Sequence, residues 1–228
     1  MQSHREVWFI RHGESVANAG GRTTEAASYP LSALGFRQAQ QLAEALTVEP
    51  ELIVVSPYLR ARQTAEASMA RFPGVRVEEW PVQEVQYLEP ALCVGTTQEE
   101  RVAMAHAYWE RCDPHHTAPN AESFAHFIRR ANDAIERFAA RTEQRAFVFC
   151  HGHFMNAVAW LMQLQPAELD AVAMRGYYDF IHRFKVNNCA VLPLHFHADG
   201  ARSLGELWVP PGVESEHAKR EGLATAGV

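Results

Sequence analysis

Three short stretches of this 228-residue chain place nitrogen-rich side chains directly after apolar runs. Val7-Trp8-Phe9-Ile10 ends in Arg11-His12-Gly13. Leu52-Ile53-Val54-Val55 leads into Ser56-Pro57-Tyr58-Leu59-Arg60. Phe147-Val148-Phe149-Cys150 leads into His151-Gly152. Two arginines and two histidines in one pocket suit an anionic, tetrahedral group such as phosphate, because each guanidinium offers a planar fork of donors. The glycines after His12 and His151 carry no Cβ, which lets backbone N–H groups approach an anion. A lone histidine at a strand end is usually a hydrogen-bonded structural group. Three strand exits of the same kind carry far more weight than one.

These residues meet only if the three apolar runs are neighbouring parallel strands, since ligands of open α/β sheets bind beyond the carboxyl ends of the strands. The rest of the pattern agrees. Ser32 is placed to cap a helix that runs to Leu46 and is stopped by Pro50. Ser56-Pro57 reads as a helix start, a capping hydroxyl followed by proline at the first helical position, with Pro73-Gly74 as the stop. Residues 75–79 read as an edge strand. Phe124, Phe127, Ile128, Ala131, Ile135 and Phe138 mark an amphipathic helix over 121–141. A helix follows His151-Gly152 to Leu164, and Pro166 should open another short one. Residues 190–195 and 207–209 are expected to pair as a hairpin around Asp199-Gly200. The fold class is therefore α/β: a single three-layer domain over residues 1–209, with a mostly parallel central sheet and helices on both faces. Residues 80–119, rich in proline, read as a lid insertion that contains one helix, opened by the capping box Thr97-x-x-Glu100. Residues 210–228 read as a flexible C-terminal tail.

Composition bounds the function. A hydrophobic content of 47% with 21% charged residues is that of a globular protein. The net charge of -6 argues against a broad nucleic-acid surface, yet permits a locally positive pocket. Cys93, Cys112, Cys150 and Cys189 are scattered and are expected as free thiols. The longest apolar run, 157–162, is too short to cross a bilayer, and no apolar leader precedes the first strand. The expectation is a cytoplasmic protein without membrane or nucleic-acid partners, with a homo-oligomer left open.

Arg11-His12-Gly13-Glu14-Ser15, the later Ser56-Pro57-x-x-Arg60-Ala61-x-Gln63-Thr64-Ala65 and His151-Gly152 resemble the histidine phosphatase superfamily, which includes the cofactor-dependent phosphoglycerate mutases. The resemblance runs from about residue 6 to 195 in the family's motif order. It implies that His12 is a nucleophile forming a phosphohistidine, with Arg11, Arg60 and His151 holding the phosphoryl oxygens. Neighbouring cations should keep His12 neutral and nucleophilic. Asn18 matches an asparagine that touches phosphate, and Gly152 belongs to the same substrate-binding set. The implied activity is that of a histidine acid phosphatase-type phosphohydrolase needing no metal or other cofactor.

Expelling an alkoxide requires a proton donor, which the three motifs do not supply. The family places that acid at the start of the lid, where Glu78, Glu79, Glu84 and Glu89 lie. Glu84, between Val82 and Val85, fits best, and Glu89 is the alternative. His153 could touch substrate or merely cap its helix. Cys112, Asp113, His115 and His116 match no standard zinc spacing and read as a solvated loop. The whole reads as a metal-independent phosphomonoesterase acting on a small phosphorylated metabolite or a phosphoprotein. Mutase-type phosphoryl transfer is a second reading, weakened because 16–30 does not resemble the Phe-x-Gly-Trp region of the mutases. A phospho-ligand-binding module with little catalysis is a third.

Overall fold

The alternation of apolar side chains along each central strand decides the layering. In the computed structural model, which describes residues 5–214, the first strand is β1, Arg5–Arg11. Val7 and Phe9 point to one face of the sheet, Trp8 and Ile10 to the other. Strand β2, Leu52–Val55, divides Leu52 and Val54 from Ile53 and Val55 in the same way. A sheet apolar on both faces must be covered on both. Helices α1, Ala33–Ala45, and α2, Leu59–Arg71, cover one face. The other is covered by α5, Phe124–Ala139, α6, Gly152–Leu164, and α7, Ala171–Arg183.

The six strands run in the order β3-β2-β4-β1-β5-β6. Here β3 is Arg76–Glu79, β4 Arg145–Cys150, β5 Val191–Phe196 and β6 Arg202–Leu204. Strands β3, β2, β4 and β1 are parallel, while β5 and β6 are antiparallel to their neighbours. Val55 pairs with Phe149, and Arg11 with Cys150, which brings the carboxyl ends of β2, β4 and β1 level. The ladder continues one step: the Ser56 N–H donates to Phe149 O at 3.0 Å and the His12 N–H to Cys150 O at 3.1 Å. Ser56, His151 and His12 therefore leave the sheet side by side.

Several boundaries depart from the sequence reading. Helix α2 begins at Leu59, not Pro57: the Ser56 hydroxyl accepts from the Tyr58 N–H at 3.2 Å while also contacting His151 Nε2, and the cap residue Tyr58 makes no side-chain cap bond. Helix α7 starts after Asp170, whose carboxylate accepts from the Ala173 N–H at 2.8 Å, rather than at Pro166. The partner of β5 is 202–204, with Gly200 turning the chain at a φ of +85°. Trp208 adds only a bridge to Val191.

The region 80–119 is partly core. Trp80, Val82, Tyr108 and Trp109 are buried. It carries α3, Pro90–Cys93, a 3₁₀ turn, Glu99–Arg101, and α4, Val102–Arg111. The expected capping box forms: the Thr97 N–H donates to Glu100 Oε2 at 2.8 Å and the Glu100 N–H to Thr97 Oγ1 at 3.2 Å. Of the segment expected as a tail, residues 210–214 return to α1, where Glu214 pairs with Arg37 at 3.1 Å. Residues 215–228 lie outside the described residues. All four cysteines are free, and among the described residues no helix is long and apolar enough to cross a membrane.

Two glycines press the first motif onto α1. A Cβ on Gly13 would lie 2.7 Å from Gly35 O, and one on Gly35 would lie 2.0 Å from Glu14 O. Gly35→Ala should cost at least about 2 kcal/mol by forcing the 13–14 loop away from α1. Gly176, inside α7, has open space where its Cβ would stand. Gly176→Ala should stabilise by about 0.5–1 kcal/mol. Urea denaturation of both variants checks the contrast, and opposite signs are expected.

Candidate active site

The carboxyl ends of β1, β2 and β4 open into a cavity of about 690 Å³. Arg11, His12, Asn18, Arg60, Glu84, Gly152 and His153 line it. Its roof comes from the 16–30 loop and the segment 84–105, tied together across the opening. The Thr23 N–H donates to Thr96 O at 3.0 Å, and Arg22 pairs with Glu100 at 2.9 Å.

His12 is buried and its orientation is determined. Its Nδ1 lies 2.6 Å from Gly13 O; a carbonyl only accepts, and Nδ1 therefore carries the proton. The other nitrogen, Nε2, is unprotonated and accepts from Arg60 Nε at 3.1 Å with its single lone pair. Burial first, then the charges of Arg60 and Arg11, hold the His12 pKa well below its ordinary 6.5. Asn188 Nδ2 donates to His12 O at 2.9 Å and fixes the backbone.

Arg60 sits on the first turn of α2 and is 2% exposed. Besides His12, it donates to Ala26 O at 2.8 Å, and its guanidinium lies 4.3 Å from the Tyr29 ring and 5.0 Å from that of Tyr58. Thr64, one turn further along α2, accepts from the Gly13 N–H at 3.0 Å and donates to Arg60 O at 2.7 Å. The Gly13 N–H is therefore spent on Thr64 and not directed at an anion. The missing Cβ of Gly13 serves packing on Gly35, which corrects the reading drawn from sequence. Gly152 opens α6 beside Arg11, and a Cβ there would make only ordinary contact, at 3.5 Å from Arg11 Nε. Arg11 itself donates to Val186 O at 2.6 Å.

His151 lies beside His12, with ring centroids 5.1 Å apart, and is fully buried. Its Nε2 and Ser56 Oγ are 2.8 Å apart, while Nδ1 is buried with no hydrogen-bond partner among the described residues. Burial, then Arg60 and His12, lower its pKa well below 6.5. Asn18 Oδ1 accepts from the Ser15 N–H at 3.2 Å, from Ser15 Oγ at 3.0 Å and from Asn188 Nδ2 at 3.4 Å. With its oxygen held, the Asn18 Nδ2 donors are left to the cavity.

Glu84 and Glu89 separate clearly. Glu84 lines the cavity, its Oε1 accepting from the Val85 N–H and its Oε2 from the His153 N–H, both at 3.2 Å. Glu89 precedes α3 and does not line it. Glu78 and Glu79 pair with arginines outside the cavity. The segment before Glu84 is held by a residue the sequence reading missed. Arg130, 8% exposed on α5, donates to Pro81 O at 2.8 Å and Gln83 O at 2.9 Å. Its other donors reach Glu122, at 2.9 and 2.6 Å. His153 packs against Tyr177, with Nδ1 3.3 Å from the phenol oxygen, and offers its backbone N–H to Glu84.

Outside the cavity, two further histidines serve local structure. His197 lies 2.8 Å from Ser203 Oγ, and the His115 N–H donates to Asp113 Oδ1 at 3.0 Å. Tyr108 and Trp109, within the segment read as a lid, belong to the main core; Tyr87 stacks on Tyr108 at 4.6 Å and also lines the cavity.

Comparison with known proteins agrees with this geometry. The profile of the histidine phosphatase superfamily (branch 1) matches residues 7–205. An Escherichia coli adenosylcobalamin/alpha-ribazole phosphatase is 34% identical over 174 residues, 71% of this chain and 81% of that protein. A metal-independent phosphoserine phosphatase of Arabidopsis thaliana is 28% identical over 159 residues, 67% of this chain. The match spans 66% of that protein, just under two thirds of its length. The alpha-ribazole phosphatase of Shigella flexneri superposes with a TM-score of 0.70 at 23% identity, over 89% of this chain and 95% of that one, and shares the fold.

Two tests arise from the site. His12, His151 and His153 all have lowered pKa values, with burial the largest cause in each. The unfolded chain takes up protons near 6.5 while the folded site resists them, and stability falls as pH drops through that value. Thermal melts should show a decline between about pH 7 and about pH 5, above the range where carboxylates titrate. His151→Gln should flatten it. Arg130→Lys keeps one charge but cannot serve four acceptors. It should cost about 2–4 kcal/mol and lower turnover of alkyl phosphates more than that of p-nitrophenyl phosphate, because Glu84 is displaced.

Proposed function

The chain belongs to branch 1 of the histidine phosphatase superfamily, and from that premise we propose that it is a metal-independent phosphomonoesterase acting through a phosphohistidine on His12. The observation that carries the reading is the state of His12. Its Nδ1–H is anchored on Gly13 O, and its unprotonated Nε2 faces a cavity lined by Arg11, Arg60 and Glu84.

The cycle has two displacements. In the first, Nε2 of His12 bonds to phosphorus as the ester P–O bond breaks, and Glu84 gives its proton to the departing alkoxide. Arg60 leaves Nε2 for the phosphoryl oxygens, joined by Arg11 and the Asn18 amide. His151 Nδ1, buried and unpartnered, has the donor capacity for another oxygen when protonated there. In the second, water attacks phosphorus, Glu84 takes its proton, and the P–N bond breaks to release phosphate and neutral His12. A roofed cavity of about 690 Å³ suits a small phosphorylated metabolite better than a folded phosphoprotein. The relatives named as phosphatases of phosphoserine and of a ribazole phosphate are consistent with that class.

His12→Ala should lose nearly all turnover while remaining folded, and acid quenching of the wild-type enzyme during turnover should trap phosphate on His12. Glu84→Gln should lose about 100-fold or more in kcat/KM on an alkyl phosphate and much less on p-nitrophenyl phosphate, whose leaving group needs little protonation. Equal losses on both esters, or a selective loss in Glu89→Gln, would remove Glu84 from its role. Near-normal turnover by His12→Ala would remove the phosphohistidine. Transfer of label to an added alcohol in place of water would identify a mutase-type transferase, and sensitivity to excess chelator a metal hydrolase.

A further inference from the structure

The cavity extends well beyond the phosphate-binding residues, and its lid wall contains a guanidinium that the proposed chemistry does not use. Arg101 ends the 3₁₀ turn ahead of α4 and lines the cavity. Its Nη1 is fixed by Thr23 Oγ1 and Thr96 Oγ1, both at 2.9 Å, and by Thr96 O at 3.1 Å. These acceptors are neutral. The neighbouring Glu100 carboxylate is taken by Arg22, with both bonds at 2.9 Å. Glu99, on the same wall, is exposed and forms no ion pair with Arg101. The Nε and Nη2 donors of Arg101 have no partner among the described residues. The result is a half-buried guanidinium that is held in place by neutral groups, with the Arg22-paired Glu100 acting on it only at longer range.

Two further observations point to a ligand on that wall. Lys185, just past α7, lines the cavity, forms no ion pair with a described carboxylate, and adds a second positive charge. Asn156 projects from α6 into the same cavity, is 7% exposed, and its Oδ1 has no hydrogen-bond partner. An unmade bond of that kind is costly unless a bound molecule completes it. Between these polar groups the wall is apolar, formed by Leu88, Val102, Ala105, Ile181 and Phe184.

We propose, resting on the phosphomonoesterase reading, that the alcohol half of the substrate has an apolar body and ends in a second anionic group that docks on Arg101. A carboxylate and a second phosphoryl group share the required chemistry: oxygens able to accept two donors from a pre-positioned fork. Asn156 contacts the polar part of the same leaving group. Lys185 adds attraction at longer range and little directional preference. Arg101 is thus a specificity-determining residue.

The test uses three homologous series of esters with chains from butyl to decyl: alkyl phosphates, ω-phosphooxyalkanoates and α,ω-alkanediol bisphosphates. At the best chain length, kcat/KM for at least one anionic series should exceed that of the matching alkyl phosphate by about 10-fold, mostly through KM. The carboxylate and bisphosphate arms show which anion is preferred. Arg101→Gln should remove most of that advantage, losing at least about five times more on the preferred anionic ester than on the alkyl phosphate, and Arg101→Lys should restore part of it. Equal losses on all series would reduce Arg101 to an anchor of the lid and overturn the inference. So would a wild-type enzyme that hydrolyses alkyl phosphates as well as the anionic esters, a result that needs no variant to fold. Failure of the wild type to hydrolyse any ester, p-nitrophenyl phosphate included, would overturn the phosphomonoesterase reading, and this inference with it.

Discussion

A buried arginine hydrogen-bonded to a buried histidine sets the terms for the rest of this structure. Arg60 is 2% exposed and donates to His12 Nε2 in place of a carboxylate. Removing a guanidinium from water costs several kcal/mol unless its charge is compensated. Here the compensation is partial: one carbonyl, two tyrosine rings and the more distant charge of Glu84. Burial first, and then that same partly compensated charge, hold the pKa values of His12 and His151 well below their ordinary value. An anion bound beside Arg60 would supply the compensation that the protein leaves undone. The site is therefore destabilised for folding in the respect that suits it for binding, and the framework around it must hold it in place.

That framework works through hydrogen bonds to backbone atoms. The ladder of β2, β4 and β1 fixes where Ser56, His151 and His12 emerge. Thr64 ties Gly13 to the carbonyl of Arg60, and Asn188 holds the carbonyl of His12. Arg130 performs the corresponding task for the lid, gripping Pro81 and Gln83 just before Glu84. With Glu122 it forms a buried ion pair whose partners are each satisfied more than once. Such a pair adds little net stability over an apolar replacement, yet it specifies one path for the segment. Glu84 then lines the same cavity as His12 from a different element, on a wall that α6 completes by donating the His153 N–H.

Much of this was legible in the sequence. The three apolar runs, each with side chains packed on both faces, announced parallel neighbours; of the residues after them, Arg11, His12 and Arg60 line one cavity, and His151 lies buried beside His12. The choice of Glu84 over Glu89 also agrees with which of the two lines that cavity. What stayed hidden were residues whose function depends on a partner more than a hundred residues away or on competition between local signals. Asn188 acts 176 positions from His12. Ser56 carried a sound local signal for a helix cap, but its hydroxyl is shared between the Tyr58 N–H and His151, 95 residues away, and the helix starts at Leu59. Arg130 looked like one more charge on an amphipathic helix. Tyr108 and Trp109 sat in a segment with little periodicity, which concealed that α4 packs them into the main core. Pro166 was a weaker signal than Asp170, whose carboxylate caps α7.

The partners of the arginines divide them by task. Arg37, Arg130, Arg141 and Arg202 meet carboxylates, and each pair is nearly neutral when the chain has folded. Arg5 meets only carbonyl oxygens, those of Phe138, Ala139 and Arg141, yet both of its Nη groups are engaged and it lies outside the cavity. Arg60 and Arg101 combine two properties that these five do not share: neutral hydrogen-bond partners and a place on the cavity wall. A carbonyl or hydroxyl orients a guanidinium without cancelling its charge, and donors not used for anchoring stay directed at whatever enters. The two arginines come from opposite sides, one from the first turn of α2 beneath the nucleophile and the other from the lid. In an acidic protein of net charge -6, a cavity with positive groups at both the nucleophile and the lid favours anions against the overall field. Under the proposed reading, the same physical device, a guanidinium positioned by neutral groups, would serve both halves of one substrate, the phosphoryl group that is transferred and the leaving group that is released.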